Sequence, residues 1–247
     1  MAMKSSGNCY LCGAELGKTA MKNHLLSAHG EEDGQECCLL KIEGAENANY
    51  WLFIDVPMEK TLAAVDKFLR KIWLECCDHM SKFCLSHWGS ALGMTRKLNT
   101  FDAGSKFFHQ YDFGASTDTL ITVVGTTTRK PQKDIVRLLA RNVPAVFECA
   151  DCKKPAKYIC IEQVEPYDMP FYCADCGEKR EDDDHYMMLV TNSPRMGECG
   201  YEGELDTFEF DPRPFAQAGE ALEKPAGGAK LGKSAKAKQA GSSGIHG

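Results

Sequence analysis

The sequence lacks the long apolar segments that membrane proteins and secreted precursors carry. No run of about 18 apolar residues is present, the length that a membrane-spanning helix needs, and the opening residues MAMKSSGNCYLCG resemble no secretory signal. Positive charge is also scarce, since the formal net charge is -6. Phosphate-driven binding to nucleic acid over the whole surface rests on Lys and Arg, so this charge argues against it. We therefore expect a cytoplasmic protein that contacts no membrane.

The sequence also lacks the motif set of protein kinases. Asp112-Phe113-Gly114 matches their magnesium motif, but the chain has no glycine-rich phosphate loop, no Val-Ala-Ile-Lys strand and no His-Arg-Asp loop. The alternation of Tyr111 and Phe113 with Asp112 instead favours a strand that Gly114 ends in a turn. No other constellation of acid, base and nucleophile stands out. We predict that the protein is not an enzyme.

Cysteine, by contrast, is abundant, with 13 residues in the chain. In a reducing cytosol, clustered pairs of the form C-x2-C are more readily explained as metal ligands than as disulfides. Eight Cys and His side chains fall into two sets with metal-ligand spacing. The sequence therefore predicts two structural zinc ions, held by Cys9, Cys12, His24, His29, Cys149, Cys152, Cys173 and Cys176.

The first set predicts a ββα zinc finger over residues 8–30. Cys9-x2-Cys12 supplies two thiolates from a turn, and His24-x4-His29 supplies two imidazoles from one face of a helix. The helix positions that such fingers turn toward DNA are Gly17, Ala20 and Asn23, of which only Asn23 can read a base edge. This favours contact with protein or with a nucleic-acid backbone over recognition of a DNA sequence.

The second set predicts a zinc ribbon at residues 147–178. Cys149-x2-Cys152 and Cys173-x2-Cys176 are separated by 20 residues, and both pairs are expected to lie in tight turns. All four ligands are cysteine, which leaves no open position for water, so the ion is structural. A redox role is disfavoured because neither pair is expected to open a helix in a thioredoxin-like βαβ unit.

A third metal site is considered and not favoured. Cys76 continues the apolar face of a predicted helix, and free cysteine is commonly a small buried hydrophobe. The residues weighed for this role are Cys76, Cys77, His79, Cys84 and His87. Cys199 is weighed separately, as a reactive thiol in a turn-rich loop, but no histidine lies near it in sequence to activate it.

The periodicity of the remaining chain predicts an α+β domain over residues 38–215, with a mixed sheet covered by helices. Helices are expected from Thr61 to Trp73 and from Pro131 to Arg141. The Lys/Gly/Ala-rich residues 216–247 predict a disordered tail. Strands are predicted at Cys38–Ile42, Tyr50–Val56, Lys82–His87, Lys106–Phe113, Thr119–Thr127, Lys157–Val164 and Tyr186–Val190.

Four segments in this order resemble one known family. They are YWLFI at 50–54, PMEKTL at 57–62, FLRKIW at 68–73 and FHQYDFG at 108–114. The chain resembles the plasmid pRi open-reading-frame-three-like family, also described as passenger proteins of insertion elements, in the branch with zinc insertions. The resemblance covers about residues 38 to 147. It implies a compact α+β domain without established activity, linked to plasmids and mobile elements.

These observations favour a non-catalytic, zinc-stabilised adaptor that contacts protein or nucleic acid. One alternative is an enzyme of unknown reaction whose site in the α+β domain uses residues such as His87, His109, Asp112 or Cys199. The other is a DNA-binding regulator that grips DNA with the finger and the basic tail. The identity of the partner and the oligomeric state do not follow from the sequence.

Overall fold

The elements are described from a computed structural model, which covers residues 5–30, 33–161, 170–181, 186–205 and 208–215. Residues up to Asp211 form one compact unit, and of the second unit, 212–247, only 212–215 are described. The predicted tail at 216–247 lies outside the described residues. No described helix is long and apolar enough to cross a bilayer.

The elements are β1 (Ser6–Cys9), β2 (Glu15–Gly17), α1 (Lys18–Ala28), β3 (Gln35–Gly44), β4 (Trp51–Pro57), α2 (Leu62–Leu69), β5 (Ser81–Cys84), β6 (Ala91–Leu92), β7 (Lys106–Tyr111), β8 (Thr117–Arg129), β9 (Arg137–Asn142), β10 (Tyr158–Cys160), β11 (Phe171–Tyr172), α3 (Ala174–Glu181) and β12 (Met187–Leu189).

Nine strands form one large sheet in the order β2-β1-β9-β4-β3-β8-β7-β5-β6. The predicted α+β class is confirmed. The predicted mixed sheet is wrong, because every strand pairing among the described residues of this sheet is antiparallel. Neighbours in sequence, such as β3 and β4 or β7 and β8, form antiparallel ladders that need no crossover.

The centre of the sheet is buried on both faces. Successive side chains of β4 point to opposite sides, so Leu52 and Ile54 pack in the core under α2, while Trp51 and Phe53 pack against the other face. Helix α1 covers that second face. Its buried residues there are Met21 and Leu25.

The N-terminal ββα segment is therefore continuous with the large sheet. Strand β1 pairs with β2 on one side and with β9 on the other, in a register that joins Gly7 to Asn142. The predicted ββα arrangement is present as β1, β2 and α1.

Helix α2 begins after Thr61, as predicted, although the Thr61 side chain makes no capping hydrogen bond. The chain continues into a single π-helical turn, Arg70–Leu74, which buries Ile72 and Trp73. Such turns recur at functional sites. This turn ends at Leu74, shortly before Cys76.

The predicted helix from Pro131 to Arg141 is wrong, because Arg137–Asn142 forms β9 between β1 and β4. Leu138 packs against the core under α2, and Leu139 packs against the core under α1. A strand buried on both faces carries consecutive apolar residues, which periodicity cannot distinguish from a short buried helix.

The cysteine-rich insert folds around its own small sheet, in the order β11-β10-β12. The predicted strand Lys157–Val164 is present as Tyr158–Cys160, and residues 162–164 lie outside the described residues. The prediction that Tyr186–Val190 returns to the main sheet is wrong. Met187–Leu189 forms β12, which pairs with β10.

Candidate metal centres

The described part of the chain contains three Cys/His groups whose ligand atoms all lie within 4.8 Å of one another. We call them the N-terminal cluster (Cys9, Cys12, His24, His29), the insert cluster (Cys149, Cys152, Cys173, Cys176) and the third cluster (Cys76, Cys77, His79, Cys199). Each group is chemically able to hold a metal ion. The first two are the predicted sets.

In the N-terminal cluster, a tight turn and a helix bring the ligands together. The Cys9 amide donates to the Ala14 carbonyl at 2.8 Å, the Gly13 amide donates to the Cys9 carbonyl at 2.9 Å, and Gly13 adopts φ 80°. This left-handed backbone suits glycine. The turn aims both cysteines at the last turns of α1.

The distances within this cluster match a tetrahedral site. His24 Nε2 lies 3.2 Å from Cys12 Sγ and 3.2 Å from His29 Nε2. Ligands at about 2.1–2.3 Å from a tetrahedral ion lie about 3.4–3.8 Å apart, within a few tenths of an ångström of these distances. Cys9 is fully buried, and Cys12 is exposed.

The first half of the insert cluster repeats the same turn. The Cys149 amide donates to the Lys154 carbonyl at 2.8 Å, the Lys153 amide donates to the Cys149 carbonyl at 3.0 Å, and Lys153 adopts φ 62°. The pattern is that of Cys9 with a lysine in place of Gly13. A non-glycine residue in this conformation pays a backbone cost, which points to a constraint on the turn.

The second half is built differently, and this corrects the prediction that both pairs lie in tight turns. Cys173 immediately precedes α3 and Cys176 lies in its first turn, with the Gly177 amide donating to the Cys173 carbonyl at 2.8 Å. The pair is therefore not in a second tight turn. It does open a helix, but not in a thioredoxin-like βαβ unit, because the described strands of the insert pair antiparallel.

The two halves nevertheless form one group. Cys152 Sγ lies 3.5 Å from Cys173 Sγ and 3.8 Å from Cys176 Sγ, so one thiol of the first pair contacts both thiols of the second. Four interleaved sulfurs at these distances match the edges of a tetrahedral thiolate site. A redox-active pair needs only two neighbouring sulfurs, so a group of four favours a metal site.

The environment of Cys149 favours its thiolate, which is the form that binds metals. Burial alone would raise the pKa of Cys149, but the backbone N–H groups of Cys173, Cys152 and Asp151 outweigh it and lower the pKa to about 6. Metal affinity at a thiolate site depends on such deprotonation. These backbone amides therefore favour the thiolate form of Cys149, which is the form that binds metal.

The third cluster is the one that sequence reasoning did not favour. Cys77 Sγ lies 3.9 Å from Cys199 Sγ, and His79 Nε2 lies 3.4 Å from Cys199 Sγ. Burial would raise the pKa of the Cys76 thiol, but the hydrogen bond and charge of Arg195 lower it overall. Although no histidine lies near Cys199 in sequence, the fold places His79 beside it.

Two residues weighed for that site lie elsewhere. The Cys84 thiol donates to Gln110 Oε1 at 3.6 Å in the sheet, and His87 contacts Asp118. The spacing of Cys76, Cys77 and His79 was the available signal. Cys199 follows them by more than a hundred residues, and only the fold reveals it.

The residues named for an alternative enzyme do not share one site. His109 is fully buried, with Nε2 2.8 Å from Asp66 Oδ1, whereas His87 contacts Asp118. Asp112 and Cys199 both lie beside His79. A cavity of about 610 Å³ is lined by none of these side chains; its polar lining includes Tyr10, Arg141, Asn142, Asn192 and Glu204.

Comparison with known proteins gives little. No family model matches the chain, and no curated protein matches it. Among solved structures, it is similar to a crystal structure of a protein of unknown function from Methanosarcina mazei Go1, with 16% sequence identity and a TM-score of 0.39. That similarity covers 44% of this chain and 70% of the other.

Proposed function

We propose that this protein is a non-catalytic binding protein, stabilised by zinc, that contacts single-stranded nucleic acid through the open face of its large sheet. The observation that carries the binding proposal is a lysine placed between two exposed aromatic rings on this face. Lys82 Nζ lies 5.8 Å from the centre of the Trp88 ring and 5.5 Å from that of Phe113.

Zinc is the metal that the ligand chemistry favours. Thiolate and imidazole donors in sets of four suit tetrahedral zinc, and the N-terminal and insert clusters leave no ligand position for water. The helix, the turns and the distances described above support a zinc finger and a zinc ribbon. In both, the ion would hold secondary structure together and perform no reaction.

We call the open face the part of the large sheet that lies on the same side as α1 but is not covered by it. Helix α1 packs against the part of the sheet around β9, β4 and β3. On the same face, Phe108 of β7 and Leu120 of β8 lie opposite each other and are only partly buried. Lys82 of β5 pairs with the next β7 position on this face. Together with the exposed Trp88 and Phe113, they form a surface of apolar and aromatic side chains.

The aromatic rings are held outward. Trp88 is 55% exposed and Phe113 is 44% exposed, and His87 lies 5.4 Å from Phe108, centre to centre. Trp88 has φ 60°, a conformation that a bulky residue rarely adopts. Exposed aromatic rings on a rigid surface are what unpaired bases stack on.

The local charge suits a polyanion in spite of the negative net charge. Lys82 and Lys106 are strand residues of this face. Lys41 also lies on it, but its charge is paired with Glu43, which bonds Lys18 as well, and Asp118 is bonded to His87. A positively charged track beside stacking rings is the usual design for single strands.

The test is fluorescence anisotropy of zinc-loaded protein with short labelled single-stranded RNA and DNA of mixed sequence. We expect Trp88→Ala and Phe113→Ala each to weaken binding by about 5- to 150-fold, because each stacked base contributes about 1–3 kcal/mol. Lys82→Ala should weaken binding and reduce its salt dependence.

Matched controls come from the insert. Tyr186→Ala removes another exposed aromatic ring, and Lys157→Ala removes a lysine that also lies over an aromatic ring, at 4.8 Å from Tyr158. Neither should change affinity. Equal loss in controls and variants would contradict the proposal, as would tight binding of duplex but not single strands. Capture of a protein through Trp88 and Phe113, without nucleic acid, would replace it with a protein adaptor.

The family resemblance adds a biological setting. We propose that the protein serves a plasmid or mobile-element system in the cytoplasm. Recurrent genomic neighbours from such elements would support this part, and neighbours drawn only from unrelated chromosomal operons would contradict it.

A further inference from the structure

We propose that the third cluster is a zinc site, with Cys76, Cys77, His79 and Cys199 as its four ligands, that fastens the segment after β12 to the main domain. This inference concerns a different site from the two predicted ones and from the open face. It rests on ligand geometry, on a buried set of supporting contacts and on the backbone around the ligands.

The ligand geometry matches that of the two other clusters. The separations of 3.4 Å between His79 and Cys199 and 3.9 Å between Cys77 and Cys199 are those of neighbouring ligands on a tetrahedral ion. The ligand atoms of all four residues lie within 4.8 Å of one another. Three thiols and one imidazole are a common structural zinc set.

A buried arginine supports the cluster from beneath. The Arg195 side chain is fully buried and donates to Cys76 Sγ at 3.3 Å and to Asp112 Oδ2 at 2.8 Å. Its other terminal nitrogen donates to the Ala115 carbonyl and to Thr117 Oγ1, both at 2.9 Å. Such outer contacts orient metal ligands and balance the charge of thiolates.

Asp112 holds Arg195 in place beneath the cluster. Its Oδ2 accepts the hydrogen bond from Arg195, and its Oδ1 accepts hydrogen bonds from the backbone amides of Gly114 and Ala115. A zinc ion with three thiolates would carry one net negative charge, and Asp112 adds another, so the single positive charge of Arg195 offsets part of the total. The Tyr-Asp-Phe-Gly segment thus has a structural role, which is to brace the third cluster.

The backbone around the ligands is held in unfavourable conformations. Asp78, Asp112 and Cys199 have φ values of 55°, 63° and 54°, in the left-handed region that non-glycine residues rarely adopt. They are three of the five such residues in the described ranges. Strain of this kind persists where other interactions hold it, and ligand clamps are one such place.

The ion would join distant parts of the chain. Three ligands follow the π-helical turn at Arg70–Leu74, and the fourth lies in the turn after Arg195. The two segments also contact each other directly, because the Ser193 hydroxyl donates a hydrogen bond to the Trp73 carbonyl at 2.7 Å. The Tyr201 ring, close to Cys199 in sequence, is buried. Closing so long a loop with a metal stabilises the fold by restricting the unfolded chain.

The test compares zinc content after gel filtration in the wild type and in the double variant Cys77→Ser/Cys199→Ser. Both thiols are exposed, so their loss should leave the core intact. We expect the double variant to bind one zinc equivalent fewer, whatever the occupancy of the other clusters. Cys84→Ala, which removes a thiol outside all three clusters, should bind as much zinc as the wild type.

Hydrogen exchange supplies an independent readout. In the double variant, amides of residues 192–205 should exchange faster, while those of α1 and α3 should keep the wild-type rate. Equal zinc content in the double variant and the wild type would overturn the proposal. Unchanged exchange at residues 192–205, with one zinc lost, would overturn the fastening role alone.

Discussion

At the scale of single residues, Asp66 joins α2 to the sheet. Its Oδ1 accepts hydrogen bonds from Ser81 Oγ at 2.6 Å and from His109 Nε2 at 2.8 Å, and Arg70 Nε donates to Oδ2 at 3.2 Å. Burial alone would raise the pKa of Asp66, but the bonds from His109 and Ser81 and the charge of Arg70 lower it overall. The folded state therefore favours the ionised carboxylate.

This shift predicts a pH dependence of stability. A carboxyl whose pKa is depressed on folding contributes stability above its unfolded pKa, about 3.9, and loses it as pH falls through the lower folded pKa. Asp66→Asn should lower the free energy of unfolding at pH 7 by roughly 1–3 kcal/mol. The difference from the wild type should shrink on acidification. Urea unfolding of both proteins at matched pH measures it.

Asp102→Asn is the control, since Asp102 is exposed, and its effect should be small at every pH. A difference between Asp66→Asn and the wild type that stays constant down to the lowest pH would contradict the assignment.

The spacing of the cysteines determines which of the ligand residues the sequence can predict. Cys149, Cys152, Cys173 and Cys176 were recognisable because each pair is local and its spacing carries the geometry. Cys199 carried no such signal, since its partners Cys77 and His79 are remote in sequence. The predicted ligand residues are gathered as expected, and zinc at these sites stays a proposal.

At the scale of elements, the N-terminal segment depends on a close contact at Gly7. A Cβ at this position would overlap the Arg141 carbonyl oxygen and the Trp51 ring. The Trp51 ring is fixed by the bond from its Nε1 to Ser5 Oγ at 2.8 Å. The glycine therefore lets β1 pair with β9 and lets α1 cover the sheet.

Gly7→Ala should lower the free energy of unfolding by about 1–3 kcal/mol, because overpacking against backbone cannot relax easily. Gly125→Ala is the matched control, since it also lies in a strand and its Cβ would meet only Leu26 Cδ2, at 3.6 Å. Denaturant unfolding checks both. A cost for Gly125→Ala equal to that for Gly7→Ala would contradict this account of β1.

The elements show where periodicity succeeds and where it fails. The amphipathic α2 is predicted because its burial is one-sided, and β4 and β8 are predicted because they are rich in aromatic and β-branched residues, even though β4 is buried on both faces. Arg137–Asn142 contains no such residue, so its apolar pattern favours a helix. The position of Met187–Leu189 depends on a partner strand, β10, that local sequence does not specify.

At the scale of the whole molecule, each of the three Cys/His clusters found in the described residues joins two parts of the chain. The N-terminal cluster joins a turn to α1, the insert cluster joins a turn to α3, and the third cluster joins residues 76–79 to the segment after β12. Zinc at all three would make the fold depend on metal at three separate places.

The most direct test of this account is the mass of the intact, full-length chain under native conditions. We expect the mass of the polypeptide plus three zinc ions, one for each cluster, and loss of cooperative heat unfolding when a chelator removes them. A bare polypeptide that stays compact and unfolds cooperatively in chelator would contradict the account.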